Sequence, residues 1–312
     1  MSDQMQQMKE VYETTESDSS VLNDPEVAHL VIHQNKVLGL HKVPGLEIDV
    51  TELDDGVELN IRLADGTIVK KPVHLCFGII PETGVQRIKM DVKIGKNAKI
   101  SLLSHCTFPN AVDIQHIMDA EIVVGENSEY NYFERHIHGT KGGIKVVPTA
   151  KVTLEKGAKF ITEFELLKGR VGEIYIDYQI TGKEDSVMEM TSRISGTGDD
   201  FIQIKESGFL VGERARGVLT SKIAAREKAQ AEVYNTLRAT APFTRGHVDC
   251  HEIVKDEAIA KAIPIVDVQD PRAHVTHEAA IGSVDNKQLE TLMSRGMDED
   301  EAVELIINGL LS

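Results

Sequence analysis

The sequence predicts a mainly β chain. Its core is a β-helix of stacked coils, with a small N-terminal region before it and a C-terminal α-helical hairpin after it. Three observations carry this. From about 88 to 265, short β-branched runs alternate with small turns that look alike: Ile94-Gly95-Lys96-Asn97-Ala98, Val124-Gly125-Glu126-Asn127-Ser128, Glu155-Lys156-Gly157-Ala158, Thr181-Gly182-Lys183-Glu184-Asp185-Ser186 and Val211-Gly212-Glu213-Arg214-Ala215. The turn glycines at 95, 125, 157, 182 and 212 lie 30, 32, 25 and 30 residues apart, a period that suggests a solenoid. Between the turns the strands alternate. Ile174, Ile176, Tyr178 and Ile180 fall on one face; Tyr175, Asp177 and Gln179 fall on the other, as in a wall around a core. A meander or sandwich would also give short strands and glycine turns, but stacked coils explain the repeat more economically.

Residues 1–20, rich in Gln, Glu, Ser and Asp, read as a flexible acidic tail. Residues 21–87 read as an N-terminal α/β region, opened by Asp24-Pro25-Glu26. Within it Val57, Leu59, Ile61 and Leu63 intercalate with Glu58, Asn60 and Arg62. Asp65-Gly66 and Thr67-Ile68-Val69 follow, a hairpin signal because Asp-Gly supplies the positive φ of a tight turn. Residues 88–282 form the β-helix core. Inside it, Ser221–Ala239 carries Ala224, Ala225, Ala229 and Ala231, and propensity alone makes that stretch helical. Residues 283–312 form the helical segment. Asp285 with Gln288 is an N-cap and its N3 partner; Leu289, Leu292 and Met293 lie at helical spacing, and Arg295-Gly296 is a stop. Asp298 and Glu301 start a second helix with Ala302, Leu305, Ile306 and Leu310 along one stripe. That stripe either covers its own domain or docks a partner.

The chain has 34 basic and 50 acidic residues and a formal charge of −16. This argues against a nucleic-acid binder, which needs a basic footprint on phosphate, and against adhesion to anionic membranes. No apolar run approaches the roughly 18 residues of a membrane span, and the N-terminus has no signal-peptide pattern. Cys76, Cys106 and Cys250 are too few and too widely spaced for a disulfide framework. The expectation is a cytoplasmic protein with reduced thiols. With aromatics at 4% and no Trp, a base-stacking platform is poorly supplied.

Lys141-Gly142-Gly143 is no phosphate loop, and Gly196-x-Gly198 before Asp199-Asp200 is no dinucleotide fingerprint. There is no Gly-x-Ser-x-Gly elbow, and neither His251-Glu252 nor His277-Glu278 has a second His four positions on. What stands out is crowding of soft ligands. His247, Cys250 and His251 fall within five residues; His274, His277 and Glu278 fall within five more, one coil later. Thiolate, imidazole and carboxylate suit iron, zinc or copper, although the same residues also read as a polar rim. In a regular strand His277 and Glu278 point to opposite faces, so one metal cannot take both without a bend. One Cys per chain is thin for a closed site; a two-fold axis would double every ligand. Asp199 and Asp200 supply the carboxylates for a different reading, a β-helix enzyme acting on an acidic saccharide.

Gly246-His247-Val248-Asp249-Cys250, then Val275-Thr276-His277-Glu278-Ala279-Ala280-Ile281-Gly282, then Gln288-Leu289-x-x-Leu292-Met293-x-Arg295-Gly296 and Ile306-Ile307-Asn308-Gly309 together resemble the SufB/SufD family, the scaffold core of the SUF iron–sulfur cluster assembly system. The resemblance is strong over about 245–311 and extends from about 90. It implies a right-handed parallel β-helix, docking of the C-terminal segment to the ABC-type ATPase SufC, and a nascent, transient iron–sulfur cluster at the interface of two β-helices. Cys250 matches the interface cysteine of SufB and Glu278 its interface glutamate. His277 matches a histidine of SufB and the functional histidine of SufD. One chain carrying all three implies a homodimer serving both roles, with apo iron–sulfur proteins as recipients and ATPase activity in the partner; His247, His251 and His274 are weaker candidates. Partner docking falls to Leu289, Leu292, Met293, Arg295, Gly296, Leu305 and Ile306. A pure accessory, SufD-like role is the alternative within the family. The chain departs from SufB where Tyr132-Phe133-Glu134-Arg135-His136 places His at the position of a sulfur-accepting cysteine. That puts persulfide delivery in doubt; Cys76 and Cys106 read as buried small hydrophobes.

Overall fold

Two-residue alternation folds into two walls. The computed structural model describes residues 3–13 and 19–311. Its strands are β1 (His29–His33), β2 (Lys36–His41), β3 (Leu46–Glu52), β4 (Gly56–Leu63), β5 (Val73–Gly78), β6 (Thr83–Ile94), β7 (Lys99–Phe108), β8 (Asp113–Val124), β9 (Glu129–His138), β10 (Ile144–Leu154), β11 (Lys159–Lys168), β12 (Glu173–Gly182), β13 (Val187–Gly196), β14 (Phe201–Leu210), β15 (Arg216–Ala225), β16 (Gln230–Ala239), β17 (Arg245–Val254), β18 (Ile259–Val268) and β19 (His274–Ser283). One sheet runs β19-β17-β15-β13-β11-β9-β7-β5-β1-β2, and the other runs β18-β16-β14-β12-β10-β8-β6-β4-β3. From β4 and β5 onward all pairing is parallel, which makes a β-solenoid of about eight turns. Every second side chain of β9 points into the lumen and is buried, and neighbouring strands follow suit.

The period resides in a backbone conformation rather than in glycine. At one corner of successive coils, Asn97, Asn127, Gly157, Asp185 and Arg214 all have φ between 52° and 69°. Each donates its N–H to the next coil: Asn97 to Glu126 O, Asn127 to Lys156 O, Gly157 to Glu184 O and Asp185 to Glu213 O, all at 2.9 Å, and Arg214 to Pro242 O at 3.1 Å. Asn, Asp and Gly tolerate this left-handed conformation best. The glycines of the sequence repeat sit at different steps of that corner, hence their uneven spacings. Gly95 and Gly125 follow a strand end directly and Gly182 closes β12; only Gly157 is the left-handed residue. Gly212 is needed for close approach, since a Cβ there would lie 1.9 Å from Glu184 N.

Four expectations are corrected. The antiparallel hairpin is β3–β4, and Asp65-Gly66 is a coil corner at which Gly66 N–H donates to Lys96 O. Ser221–Ala239 is strand, in β15 and β16. Ala224, Ala225, Ala229 and Ala231 are all fully buried in the packed wall, and packing overrides propensity. Residues 21–87 are strands with one 3-10 turn at Ser19–Asn23, and no described residue between them is α-helical. The supposed tail contains helix α1 (Asp3–Glu13). Met8 and Tyr12 of α1 pack with Leu22, Val31 and Cys76, and Tyr12 Oη lies 2.8 Å from His74 Nδ1; the parts of the expected tail at 1–2 and 14–18 lie outside the described residues. Helix α1 and the two hairpins cover the first coil.

At the far end come α2 (Asn286–Met293) and α3 (Glu299–Leu311). Asp285 caps α2 by accepting from Gln288 N–H at 2.7 Å. Asp298 accepts from Glu301 N–H at 2.8 Å while Glu301 reaches back to Asp298 N–H at 3.4 Å, a reciprocal capping box.

Candidate metal centre at the last coil

Strand alternation decides which candidate residues meet. β17 and β19 pair in parallel, with Asp249 opposite Glu278, Val248 opposite His277 and Cys250 opposite Ala279. His247, Asp249 and Glu278 therefore share the outer face, and their ligand atoms lie within 4.8 Å of one another. His247 Nδ1 is 2.8 Å from Thr276 Oγ1, and His251 Nδ1 is 2.9 Å from Asp249 Oδ1, so His251 joins the same row. His274, opposite Arg245, is exposed beyond it.

Cys250 faces the other way. It is fully buried in the lumen, 3.8 Å from Asn235 Nδ2. Glu252, two residues on, shares that face and meets Ser221 Oγ at 3.5 Å. Burial pushes the Cys250 thiol up to about 11, so it is a neutral thiol at pH 7. Burial likewise raises Glu252 to about 7. His277 follows the inner parity of Val248 and Cys250, but on the last coil it is exposed. The opposition of His277 and Glu278 expected from a regular strand is thus present. The structure brings Glu278 to His247 and Asp249, a residue that sequence reasoning missed; it does not bring Glu278 to Cys250. Asp249 was legible in principle, as the residue one coil below Glu278 on the same face.

Two carboxylates and one imidazole form a hard-to-borderline donor set suited to a ferrous ion. A sulfide-rich cluster would also require Cys250, which becomes available only if the wall between the faces opens or a second chain meets the coil at its edge. That edge is open: β18 and β19 end their sheets. Ile259, Ile263, Ile265, Val268 and Ile281 are exposed there.

The C-terminal stripe divides between its two readings. Val303, Ile307 and Leu311 pack on Ala224 of β15 with Val284, and Leu289 and Ile306 lie against the same cluster. Arg226 pairs with Glu304, tying α3 to the wall. Met293 and Leu305 stay 41% and 47% exposed; Arg295 and Gly296 are exposed and Leu292 half-buried. Asp200, offered for an enzyme, is buried and accepts from Arg170 Nε and the N–H groups of Val171, Gly172 and Thr197, which makes it a loop anchor with no free acceptor for catalysis. No helix is long and apolar enough to cross a membrane among the described residues.

The family model of the SUF system FeS cluster assembly SufBD core domain matches residues 81–310. An iron–sulfur cluster assembly SufBD family protein of Methanocaldococcus jannaschii is 39% identical over 282 residues, covering 90% of this chain and 89% of that one. Another, of Pyrococcus horikoshii, is 36% identical over 302 residues, 97% and 92% of the two chains. The iron–sulfur cluster assembly protein SufB of Bacillus subtilis is 22% identical over 263 residues, 80% and 54% of the two.

Proposed function

The chain belongs to the SufB/SufD family of iron–sulfur cluster assembly proteins, and on that premise we propose that it is a scaffold on which a nascent cluster is built and from which it is handed to apo-proteins. The observation that carries this is the last coil, where Cys250 lies on the inner face and His247, Asp249 and Glu278 lie on the outer face of one open strand pair. Two copies meeting at that edge would double these donors around one shared site. The exposed isoleucines of β18 supply an apolar surface for the contact. Glu278 and Cys250 hold the cargo in this reading, with His277 as the histidine that reaches it from the exposed rim. Weak oxygen and nitrogen ligands suit a site that must let its product go.

The chain itself is not an enzyme in this reading. ATP is hydrolysed by a SufC-like ABC ATPase that docks on Met293, Arg295, Gly296 and Leu305, the part of the helical segment left uncovered. Because α3 is fixed to β15, movement of the helices pulls on the wall beside Cys250 and exposes its thiol. Three free, buried cysteines fit a reducing cytoplasm.

The test is iron and acid-labile sulfide per chain, measured on protein co-expressed with its ATPase partner and purified without oxygen. Wild type should carry both and Cys250→Ala should carry neither. An intact complex with no iron or sulfide in either protein would sink the scaffold and leave an accessory, SufD-like subunit.

A further inference from the structure

Midway along the lumen, far from the last coil in sequence, four more donors converge. Cys106 of β7, His116 of β8 and Glu134 and His136 of β9 are all buried, with one ligand atom of each lying within 4.8 Å of the others. Inward parity places them there from strands about one coil apart. Glu134 Oε1 is 2.7 Å from His136 Nε2 and 3.8 Å from Cys106 Sγ. His116 is 1% exposed, and among the described residues neither of its ring nitrogens has a hydrogen-bond partner; Glu134 Oε2 has none there either. Leaving such groups unpaired inside a core is expensive.

The hydrogen-bond geometry sharpens this. His138 Nδ1 lies 2.9 Å from the carbonyl of Arg170, which can only accept, so Nδ1 carries the hydrogen. His138 Nε2 lies 3.2 Å from His136 Nδ1, and His136 Nε2 faces Glu134 Oε1. One edge of the His136 ring is thus held by His138 and the other is turned to the donor group.

We propose that Cys106, His116, Glu134 and His136 form an internal site for one four-coordinate divalent transition-metal ion, zinc or ferrous iron. Binding requires the Cys106 thiol to lose its proton and Glu134 to be ionised. Thiolate and carboxylate then balance the dication, and the buried site is neutral overall. Donors of one sulfur, two imidazoles and one carboxylate suit both metals. His138 fixes the ring of His136 through its second nitrogen and is a positioning residue.

The experiment uses the full chain, refolded after chelation with Zn²⁺, Fe²⁺ without oxygen, or Co²⁺ as a spectroscopic probe. Expected are about one ion per chain that survives dialysis, no accompanying sulfide, and a sulfur-to-cobalt charge-transfer band. Retention in Cys250→Ala and loss of the band in Cys106→Ser place the ion in the lumen. His138→Gln should weaken affinity by about 10–100-fold. Whether zinc or iron is retained from cells tells the two apart. If wild type refolds but binds none of the three ions and its Tm does not respond to them, the site is a hydrogen-bonded polar cluster and the proposal fails. It also fails if the ion disappears in Cys250→Ala. Iron with sulfide at the last coil is a separate result, so this site and the scaffold reading stand or fall independently.

Discussion

At the start of the solenoid, α1 and two hairpins close the first coil, and Leu30, Ile32, Leu46 and Ile48 are fully buried. At its end β18 and β19 close their sheets with no further strand among the described residues; their residues are half-buried or exposed, although the wall is built on the same repeat. The clusters follow the same division. The Cys106 group is enclosed on all sides, whereas the His247 group lies at a strand edge. An enclosed site favours retention of its occupant and an edge site favours exchange, so the same donor types serve opposite ends according to where the coil places them. A natural chain ordinarily blunts such an edge with charge or proline. β18 carries Lys261, Pro264 and Asp267 of that kind, but between them Ile259, Ile263 and Ile265 stay exposed.

The comparison breaks most visibly at the edge. Replacing Ile263 and Ile265 by Lys should turn a homodimer into a monomer in light scattering while the Tm stays near that of the wild type, because both side chains lie outside the core. A wild-type monomer, or a variant that still dimerises, would show that the edge is not the contact.

The next effect is in the lumen. Glu206 is buried, accepts from Ser192 Oγ at 2.7 Å, and has its carboxyl raised by burial to about 7 from 4.5. Between those values the folded chain holds a proton that the unfolded chain has lost, so stability falls as pH rises from about 4.5 to about 7. Two and a half units correspond to roughly 3 kcal/mol. Glu206→Gln should therefore match the wild type in urea unfolding at pH 4.5 and exceed it by about that amount at pH 8. Equal stability at both pH values would show that water reaches the lumen there. The neutral histidines act with the opposite sign, since their folded pKa is depressed. They cost stability as pH drops from about 6.5 toward 3.

The smallest effect is at the helices. Asp298→Ala removes the cap of α3 and should cost about 1 kcal/mol, read by thermal unfolding. A loss several times larger would mean that α3 holds the last coils in place beyond covering them.

Much of this was legible in the sequence. Period-two strands and recurrent turns fixed the solenoid class, and parity alone separated His277 from Glu278. The turn residues were harder to read, because Asn97, Asp185 and Arg214 share a conformation without sharing a residue type. Ser221–Ala239 misled because alanine is a strong helix former, while its burial here depends on coil packing, with Ala224 under α3 and Ala231 in the lumen core. Helix α1 was missed because its apolar residues are few, and most of its surface is polar. The lumen cluster was missed because its members come from three strands, and only coil register brings them together. Its signal was present nonetheless. Glu134, His136 and His138 fall at the inward parity of a strand that begins with Tyr130 and Tyr132, where hydrocarbon would be expected.

The ladder of corner hydrogen bonds joins each coil only to its neighbours, which makes the molecule nearly one-dimensional. Cooperativity in such a stack decays with distance from any disturbance. The last coil, with one edge unpaired, should fray while the middle stays intact, giving amide-exchange protection that declines from β9 toward β19. Cys250 sits one coil inside that gradient. Its thiol then reaches solvent through local opening of a single coil, at a free-energy cost set by the last coil and its neighbours rather than by the whole fold.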